Sequence, residues 1–263
     1  MNYGSNLLEN VKSGQSAVLK LRQAEWRIQW LNDGYDYPAL LDKFRRGELK
    51  GRSLSTGSNF REVYCLEYDG RKFVVKRDWE IDRRPEKAIW DLIGGTPYHR
   101  LIKFTTRAAL KGSTIAQGVY LVAEKMSRGR CREAWLVAEY VEGESLIQEF
   151  KDGRPAKVVD NLGEYISAMN ETLEKLHDGG LASNDVHPGQ FIVTDQGLRV
   201  IDLSLDGPMI VCQVNDALTM MHFFNFRPPL RNPWRRAFYE LFALRRRFKN
   251  FYRSLRSATV DKH

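Results

Sequence analysis

The sequence of 263 residues has few cysteines and no long apolar run. Its three cysteines are an odd number, and none belongs to a Cys-x-x-Cys pair, which argues against a disulfide framework and against structural zinc. No segment approaches the roughly 20 apolar residues that span a bilayer. Met1–Gly14 has no apolar core of the type found in signal peptides. We therefore expect a protein of the reducing cytoplasm.

Positive charge is unevenly distributed along the chain. The formal net charge is +8, yet residues 227–256 contain nine Arg and one Lys against a single acid, Glu240. That segment carries a charge of +9, and the rest of the chain therefore sums to about −1. A basic tail on a near-neutral body predicts an anionic partner: membrane headgroups, a phosphorylated glycolipid or nucleic acid.

A β-hairpin is predicted around Asp69-Gly70, which is a strong turn signal. The flanking segments Glu62–Tyr68 and Arg71–Lys76 have the composition of strands. Because side chains alternate along a strand, Lys76 is expected on the same face as its apolar neighbour Val74, next to a cleft.

Three neighbouring segments complete the first half of the prediction. Residues 5–48 are expected to be helical or irregular, because a glycine and a proline interrupt their apolar positions. Residues 85–93 are predicted to form a helix that begins with proline and ends at a Gly-Gly pair. Gly118–Met126 and Ala134–Val141 are two apolar runs joined by a polar turn, which predicts a second hairpin.

The second half begins near Glu142–Ser145, where we place a boundary between lobes 1–143 and 144–263. Asn161–His177 has apolar residues at spacings of three and four, which predicts a buried helix that ends at Gly179-Gly180. A polar loop and two short strands, Phe191–Thr194 and Leu198–Leu203, follow. This order predicts an α+β, two-lobed fold with an N-terminal antiparallel sheet and a mostly helical C-terminal lobe.

Three polar residues in the second half have the chemistry that phosphoryl transfer requires. The reaction needs a carboxylate for the attacking hydroxyl, oxygen ligands for Mg²⁺ and a cation for the nucleotide phosphates. Asp185 lies in the polar loop, and Asp202 follows the apolar pair Val200-Ile201. Gln190 offers an amide oxygen to a metal.

The residues around these side chains resemble a known family. Residues 183–190 (SNDVHPGQ) and 200–204 (VIDLS) are similar to the kinase motifs H-R-D-x-x-x-x-N and D-F-G. Residues 197–204 more closely resemble a block of bacterial lipopolysaccharide core heptose kinases, in particular the heptose(II) kinase. The likeness includes residues 139–143, which look like the hinge, and the basic, aromatic C-terminus, and it spans roughly residues 55 to 256.

The resemblance implies roles for the reacting groups. Asp185 would orient and deprotonate a sugar hydroxyl. Asp202 would bind Mg²⁺, with Gln190 as a second ligand, and Lys76 would contact the α- and β-phosphates of ATP. His187 would support the catalytic loop or approach the substrate.

The resemblance also implies a nucleotide site. Glu86 is the candidate partner of Lys76, with Glu80 as the competitor. The backbone of Glu139 and Val141 would hydrogen-bond the adenine. Further candidate nucleotide-binding residues come from a short loop before the first hairpin, namely Gly57 and Ser58.

Several positions depart from the kinase pattern. The first His of the catalytic loop is Ser183, the metal-binding Asn is Gln190, and Ser204 replaces the Gly of D-F-G. There is no G-x-G-x-x-G motif, because residues 55–59 contain one glycine. The unusual Gln190 and the poor glycine loop are the only support in the sequence for a membrane-bound pseudokinase.

The basic tail contains one apolar stripe at helical spacing, formed by Trp234, Phe238, Leu241, Leu244, Phe248, Phe251 and Leu255. The basic residues assigned to an anionic surface are Arg235, Arg236, Arg245, Arg246, Arg247, Lys249 and Arg253. The pattern favours a helix that packs on the C-terminal lobe and also contacts a membrane. The alternative is a packed helix with a merely solvated basic face. Nucleic acid is not expected, because none of its recognition motifs is present.

Taken with the resemblance, these features predict an ATP- and Mg²⁺-dependent kinase that phosphorylates a heptose of the lipopolysaccharide inner core. Its place would be the cytoplasm, peripheral on the inner face of the inner membrane, where the basic tail meets an acidic glycolipid. A related kinase with another acceptor, such as another core sugar, an aminoglycoside-like molecule or a protein, is the alternative.

Overall fold

A seven-stranded antiparallel sheet dominates the first part of the computed structural model. The structure describes residues 16–54, 60–79, 95–127, 130–151, 162–184, 186–224, 230 and 232–244. The strands of the sheet are β1 (Val18–Gln23), β2 (Trp26–Leu31), β3 (Arg52–Ser53), β4 (Arg61–Tyr68), β5 (Arg71–Asp78), β6 (Val119–Ser127) and β7 (Arg130–Glu139). Their order across the sheet is β1-β2-β6-β7-β5-β4-β3.

The second part of the described chain is mostly helical. Its elements are β8 (Glu144–Ser145), α3 (Leu146–Lys151), α4 (Leu162–Asp178), β9 (Phe191–Thr194), β10 (Gly197–Val200), α5 (Met209–Phe224) and α6 (233–244). Strands β10, β9 and β8 form a small second sheet. The prediction of an α+β fold, with a sheet-rich part before a helical part, is confirmed. The boundary near residue 143 stays a prediction.

The predicted hairpin around Asp69-Gly70 is confirmed. Asp69 and Gly70 have φ values of +50° and +68°, which is the left-handed pair that a two-residue type I′ turn requires. The tight turn fixes the register of β4 and β5, so that Arg61 pairs with Asp78 and Val63 pairs with Lys76. The second predicted hairpin is also confirmed, as β6 and β7.

The expectation that residues 5–48 are helical or irregular is wrong for residues 18–31. These form the hairpin β1–β2, and β2 adds to the edge of β6. Aromatic and β-branched residues favour this pleated surface, and the polar residues of β2 also find partners: Arg27 binds Glu124, and Gln29 bonds to His99. A helix does form further along, α1 (Tyr37–Arg45), whose start is capped by the side chain of Asp36.

The predicted helix 85–93 lies outside the described residues, and a longer helix was missed. Helix α2 (Pro97–Leu110) begins at Thr96, whose hydroxyl accepts a hydrogen bond from the amide of His99. It packs on β6 and β2. The sequence did not reveal α2 because three of its buried residues, Arg100, Thr105 and Thr106, are polar and blur the apolar pattern.

The predicted buried helix is confirmed as α4. The amide of Leu181 donates to the carbonyl of Leu176, and the amide of Gly180 donates to that of His177. Gly180 has a φ of +80°, so this is the glycine-dependent Schellman ending expected from the Gly-Gly pair. By contrast, the strand predicted for Leu198–Leu203 is too long, because β10 ends at Val200.

The buried apolar side chains fall into two clusters. A large apolar core joins the sheet, α2 and α4, and a smaller one joins α5 to Tyr239 and Ala243 of α6. Among the described residues, no helix is both long and apolar enough to cross a membrane.

Candidate active site

An ion pair joins the two parts of the molecule. The Lys76 ammonium on β5 lies 2.7 Å from Oδ1 of Asp202, which follows β10. The Lys76 side chain is 12% exposed and that of Asp202 is 44% exposed, so the pair sits at the edge of the interior. The positive charge of Lys76 holds the pKa of the Asp202 carboxyl below its ordinary value, against the opposing effect of burial.

Asp202 owes its position to a turn rather than to a strand. Its φ is +57°, a left-handed conformation that is uncommon outside glycine. The amide of Ile201 donates to the carbonyl of Gln190, and the amide of Asp202 donates to the side chain of Gln117 over 3.3 Å. The chain therefore leaves the small sheet directly before Asp202, and the turn directs the carboxylate toward β5.

A second cation lies on the neighbouring strand. Nε of Arg61 donates to Oδ1 of Asp78 over 2.7 Å, and Nη1 of Arg61 is 3.9 Å from Oδ2 of Asp202. The other oxygen of Asp78 accepts the hydroxyl of Tyr98, on α2, over 2.5 Å. Burial, followed by the charge of Asp78, raises the pKa of Tyr98 well above its ordinary value, so the hydroxyl remains a donor.

Gln190, the predicted metal ligand, is buried. Its side chain is 3% exposed, and its amide oxygen accepts the hydroxyl of Ser183 over 2.6 Å. Its amide nitrogen points to the carbonyl of Asp202 at 3.4 Å. Since an amide oxygen has two lone pairs, one acceptor position remains for a metal. The assignment of Gln190 to a metal stays a prediction.

The loop that leads to Asp185 is held by hydrogen bonds to the side chain of Asp216, on α5. The Asp216 carboxylate is fully buried and accepts the backbone amides of Ser183 (2.9 Å) and Asn184 (2.5 Å). It is also 2.8 Å from Nε2 of His177, at the end of α4. The sequence analysis missed Asp216, although a single acid in the mostly apolar segment Met209–Phe224 was a usable signal.

The predicted hinge is engaged with the second sheet. The Glu139 carboxylate accepts two hydrogen bonds of 2.6 Å from Arg199 of β10. The amide of Glu139 donates to the carbonyl of Gly118, and its carbonyl accepts the side chain of Gln117 over 2.7 Å. Only the carbonyl of Glu139 therefore retains capacity to bond an adenine, and Val141 follows outside the strand.

Several predicted site residues lie outside the described residues. They are Gly57, Ser58, Glu80, Glu86, Asp185, Arg245, Arg246, Arg247, Lys249 and Arg253. Among the described candidates, Lys76, Asp202 and Gln190 are brought together, and the exposed His187 lies close enough to Asp202 to lower the pKa of its carboxyl.

The assignment of Arg235 to an exposed basic surface is wrong. Arg235 is 6% exposed and donates to Asp178 over 2.9 Å, with Glu174 at 3.7 Å. Because both acids belong to α4, these ion pairs hold α6 against α4. Arg236, one position further, is exposed.

The family model described as lipopolysaccharide core biosynthesis protein (WaaY) matches residues 30–258. The chain belongs to this family. Two curated relatives from Escherichia coli, each named lipopolysaccharide core heptose(II) kinase WaaY, are 24% identical over 197 residues and 27% identical over 187 residues. These alignments cover 74% and 71% of this chain, and 78% and 77% of the relatives. The resemblance to heptose kinases, and with it the kinase class of enzyme, is confirmed.

The chain was also compared with solved structures. Two crystal structures of the PknI kinase domain of Mycobacterium tuberculosis, one of them a point mutant, are 23% identical to this chain with TM-scores of 0.41. They cover 69% of this chain, and the chain covers 75% and 74% of theirs.

The residues around Asp202 fit a magnesium nucleotide. Mg²⁺ is usually held by one or two carboxylates, water and substrate phosphates rather than by an all-protein cage. The described residues contain no group of three or more His, Cys, Asp or Glu placed to hold a metal. Asp202 supplies a charged oxygen donor that is partly open to solvent, and Lys76 supplies a cation beside it.

Proposed function

We propose that this protein is an ATP- and Mg²⁺-dependent kinase that phosphorylates a heptose of the lipopolysaccharide inner core. The observation that supports the proposal is the Lys76–Asp202 contact of 2.7 Å between the two parts of the fold, because phosphate binding calls for a cation and Mg²⁺ binding for a carboxylate. The names of the curated relatives support heptose as the acceptor.

In this proposal the residues act as follows. Asp185 orients the sugar hydroxyl and accepts its proton while the oxygen attacks the terminal phosphorus and ADP leaves. Lys76 binds the α- and β-phosphates. Asp202 and Gln190 would hold Mg²⁺, which would supply positive charge beside the phosphates. His187 supports the loop or approaches the substrate.

The remaining assignments concern the nucleotide. Glu86, or Glu80 as the alternative, pairs with Lys76. The carbonyl of Glu139 and the backbone of Val141 form hydrogen bonds with the adenine. Gly57 and Ser58 lie over the phosphates.

The fixed backbone directly before Asp185 supports its assignment as the catalytic carboxylate. The two residues before it are fixed by the buried Asp216, and Asn184 is held further by a bond of 3.1 Å from Asn215. Asn184 has a φ of +63°, a strained conformation that the surrounding contacts maintain. Positioning of this kind is what phosphoryl transfer asks of a protein, because there is little covalent chemistry for it to perform.

The outer face of α6 supports peripheral contact with the inner leaflet of the inner membrane. Trp234, Leu241 and Leu244 are 71%, 62% and 51% exposed, so these three members of the apolar stripe are open to solvent, whereas Phe238 packs against the smaller core. Arg236 is exposed on the same helix, and the sequence after it is rich in Arg. An exposed apolar stripe beside basic residues is typical of interfacial helices on anionic lipid.

The catalytic assignment is tested with Asp185→Asn. We expect transfer of phosphate from labelled ATP to dephosphorylated core to fall by about 10²–10⁴-fold, since general-base catalysis contributes that much. Asp195→Asn, the same change in the exposed turn between β9 and β10, is the matched control and should retain full activity. Undiminished transfer by the Asp185 variant would overturn the role of this residue.

The acceptor is tested separately by mass analysis of core oligosaccharide from cells that lack the gene. Loss of one phosphate supports the heptose role, and an unchanged phosphate count excludes it. A different acceptor would then be sought with the same labelled ATP.

A second candidate function is a membrane-associated pseudokinase. The buried bond from Ser183 to the amide oxygen of Gln190 favours it, because this bond takes one of the two acceptor positions of the expected metal ligand. Failure of Mg-ATP to raise the melting temperature would support the pseudokinase.

A further inference from the structure

Arg61 and Lys76 stand on the same face of the sheet. Val63 pairs with Lys76 and Arg61 pairs with Asp78, so the four side chains share one face, because residues two apart on a strand point the same way. The tight turn at Asp69-Gly70 fixes this register, so the two cations cannot slip relative to each other.

Both cations face one carboxylate. Lys76 contacts Oδ1 of Asp202 at 2.7 Å, whereas Nη1 of Arg61 is 3.9 Å from Oδ2, too far for a hydrogen bond. Among the described residues, the one hydrogen bond of the Arg61 side chain runs from Nε to Asp78. Nη1 of its guanidinium therefore lies near Asp202 without a hydrogen bond to it, and the side chain is 49% exposed.

Arg61 is held in this position by a chain of contacts from α2. Asp78 accepts Arg61 with one oxygen and the Tyr98 hydroxyl with the other. Asp78 is 15% exposed, compared with 49% for Arg61, so its carboxylate is the more buried end of the pair. An arginine that had only to form a surface ion pair would need no such support.

We propose that Arg61 is a second phosphate-binding residue, which contacts the nucleotide phosphates beside Lys76 and is positioned by Asp78 and Tyr98. The inference rests on the proposed function, because it assumes that a nucleotide binds next to Asp202. Residues 55–59, which precede Arg61, contain a single glycine and so lack the repeated glycines that let backbone amides approach a phosphate. A guanidinium supplies planar, paired donors for the same purpose.

The test compares ligands with and without phosphates on the full chain. Calorimetry and melting-temperature shifts would give the affinities of adenosine and of a non-hydrolysable Mg-ATP analogue. For Arg61→Ala we expect the analogue to bind about tenfold more weakly or worse, as for other hydrogen bonds to charged groups, and adenosine to bind as in the wild type. Arg61→Lys should recover part of the loss because it restores the charge.

Three further variants complete the design. Arg61→Gln keeps a polar, hydrogen-bonding side chain that is shorter than arginine and uncharged. It should match Arg61→Ala, so it serves if the alanine variant unfolds. Tyr98→Phe should weaken the analogue by only a few-fold, because it loosens Asp78 but leaves Arg61 in place. Arg46→Ala removes an equally exposed, ion-paired arginine of the segment after α1 and should change neither ligand.

The outcomes separate this inference from the proposed function. If the wild-type protein binds no Mg-ATP analogue, the proposed function is wrong and the role of Arg61 falls with it. If the wild type binds and Arg61→Ala binds equally well, only the role of Arg61 is overturned. Equal weakening of adenosine and the analogue would also overturn it, because the arginine would then act on the fold and not on phosphates.

Discussion

The cationic and anionic sides of the candidate site are held by different kinds of structure. Lys76 and Arg61 stand on strands, where backbone hydrogen bonds and the register of a hairpin fix them. In the loop before Asp185, the backbone amides of Ser183 and Asn184 are instead held by one buried side chain, Asp216. The comparison indicates that a cation can be removed at little cost to the fold, whereas the buried acid cannot.

The largest effect is expected for Asp216→Ala. The change leaves two backbone amides and the ring of His177 without their buried acceptor, and unpaired buried donors cost about 1–3 kcal/mol each. We expect the free energy of unfolding in urea to fall by about 4 kcal/mol, with loss of phosphate transfer. Glu171→Ala, an exposed acid on α4, should cost less than about 0.5 kcal/mol. Equal stabilities of the two variants would contradict the distinction drawn above.

An intermediate effect is expected for Arg199→Ala, which removes the contact between β10 of the small sheet and Glu139 at the end of β7. Arg199 binds both oxygens of Glu139 and the carbonyls of Thr114 and Ala116. Its removal should lower the free energy of unfolding by about 2 kcal/mol, because charge-assisted bonds between partly buried groups are lost. Arg199→Lys should recover less than half, since an ammonium lacks the planar fork. Full recovery with Lys would show that charge alone joins these strands.

The smallest effect on stability is expected for Lys76→Met. Asp202 is 44% exposed, so solvent screens the lost attraction and the cost at pH 7 should stay below about 1 kcal/mol. The pKa of Asp202 is lowered in the folded state, so its contribution is present above the ordinary value of 3.8 and is lost as the pH falls below it. Unfolding curves between pH 7 and pH 3 should therefore converge for wild type and variant, while Mg-ATP binding by the variant is lost. A gap that widened toward low pH would have the wrong sign.

The sequence predicts elements well where the determinants are local. Asp69-Gly70 gives the hairpin and its register, and with it the shared face of Arg61 and Lys76. The three-and-four spacing gives α4, and the Gly-Gly pair gives its end. In each case the physical cause lies within a few residues of the pattern that reports it.

The errors concern contacts between distant segments. Strand β2 is covered by α2 on the face of Arg27 and Gln29, so Gln29 is buried and Arg27 is half-buried, and the usual alternation of apolar and polar positions is hidden. Arg235 is buried because its guanidinium is paired with Asp178 and Glu174, which lie on another helix. Asp202 has a left-handed backbone conformation, and no glycine at or beside this position signals the turn in the sequence. Such features depend on partners that no short sequence window contains.

The hairpin β1–β2, which covers the edge of β6, affects the tendency of these molecules to aggregate. The family match begins at residue 30, so β1 and most of β2 precede it. Without them, the apolar strand β6 would present an open row of unpaired amides and carbonyls, which recruits strands from other chains. The hairpin closes that row, and its own outer strand displays the exposed charges of Lys20 and Arg22. Those charges discourage further strand addition, so the hairpin protects a crowded solution of these molecules from sheet-to-sheet aggregation.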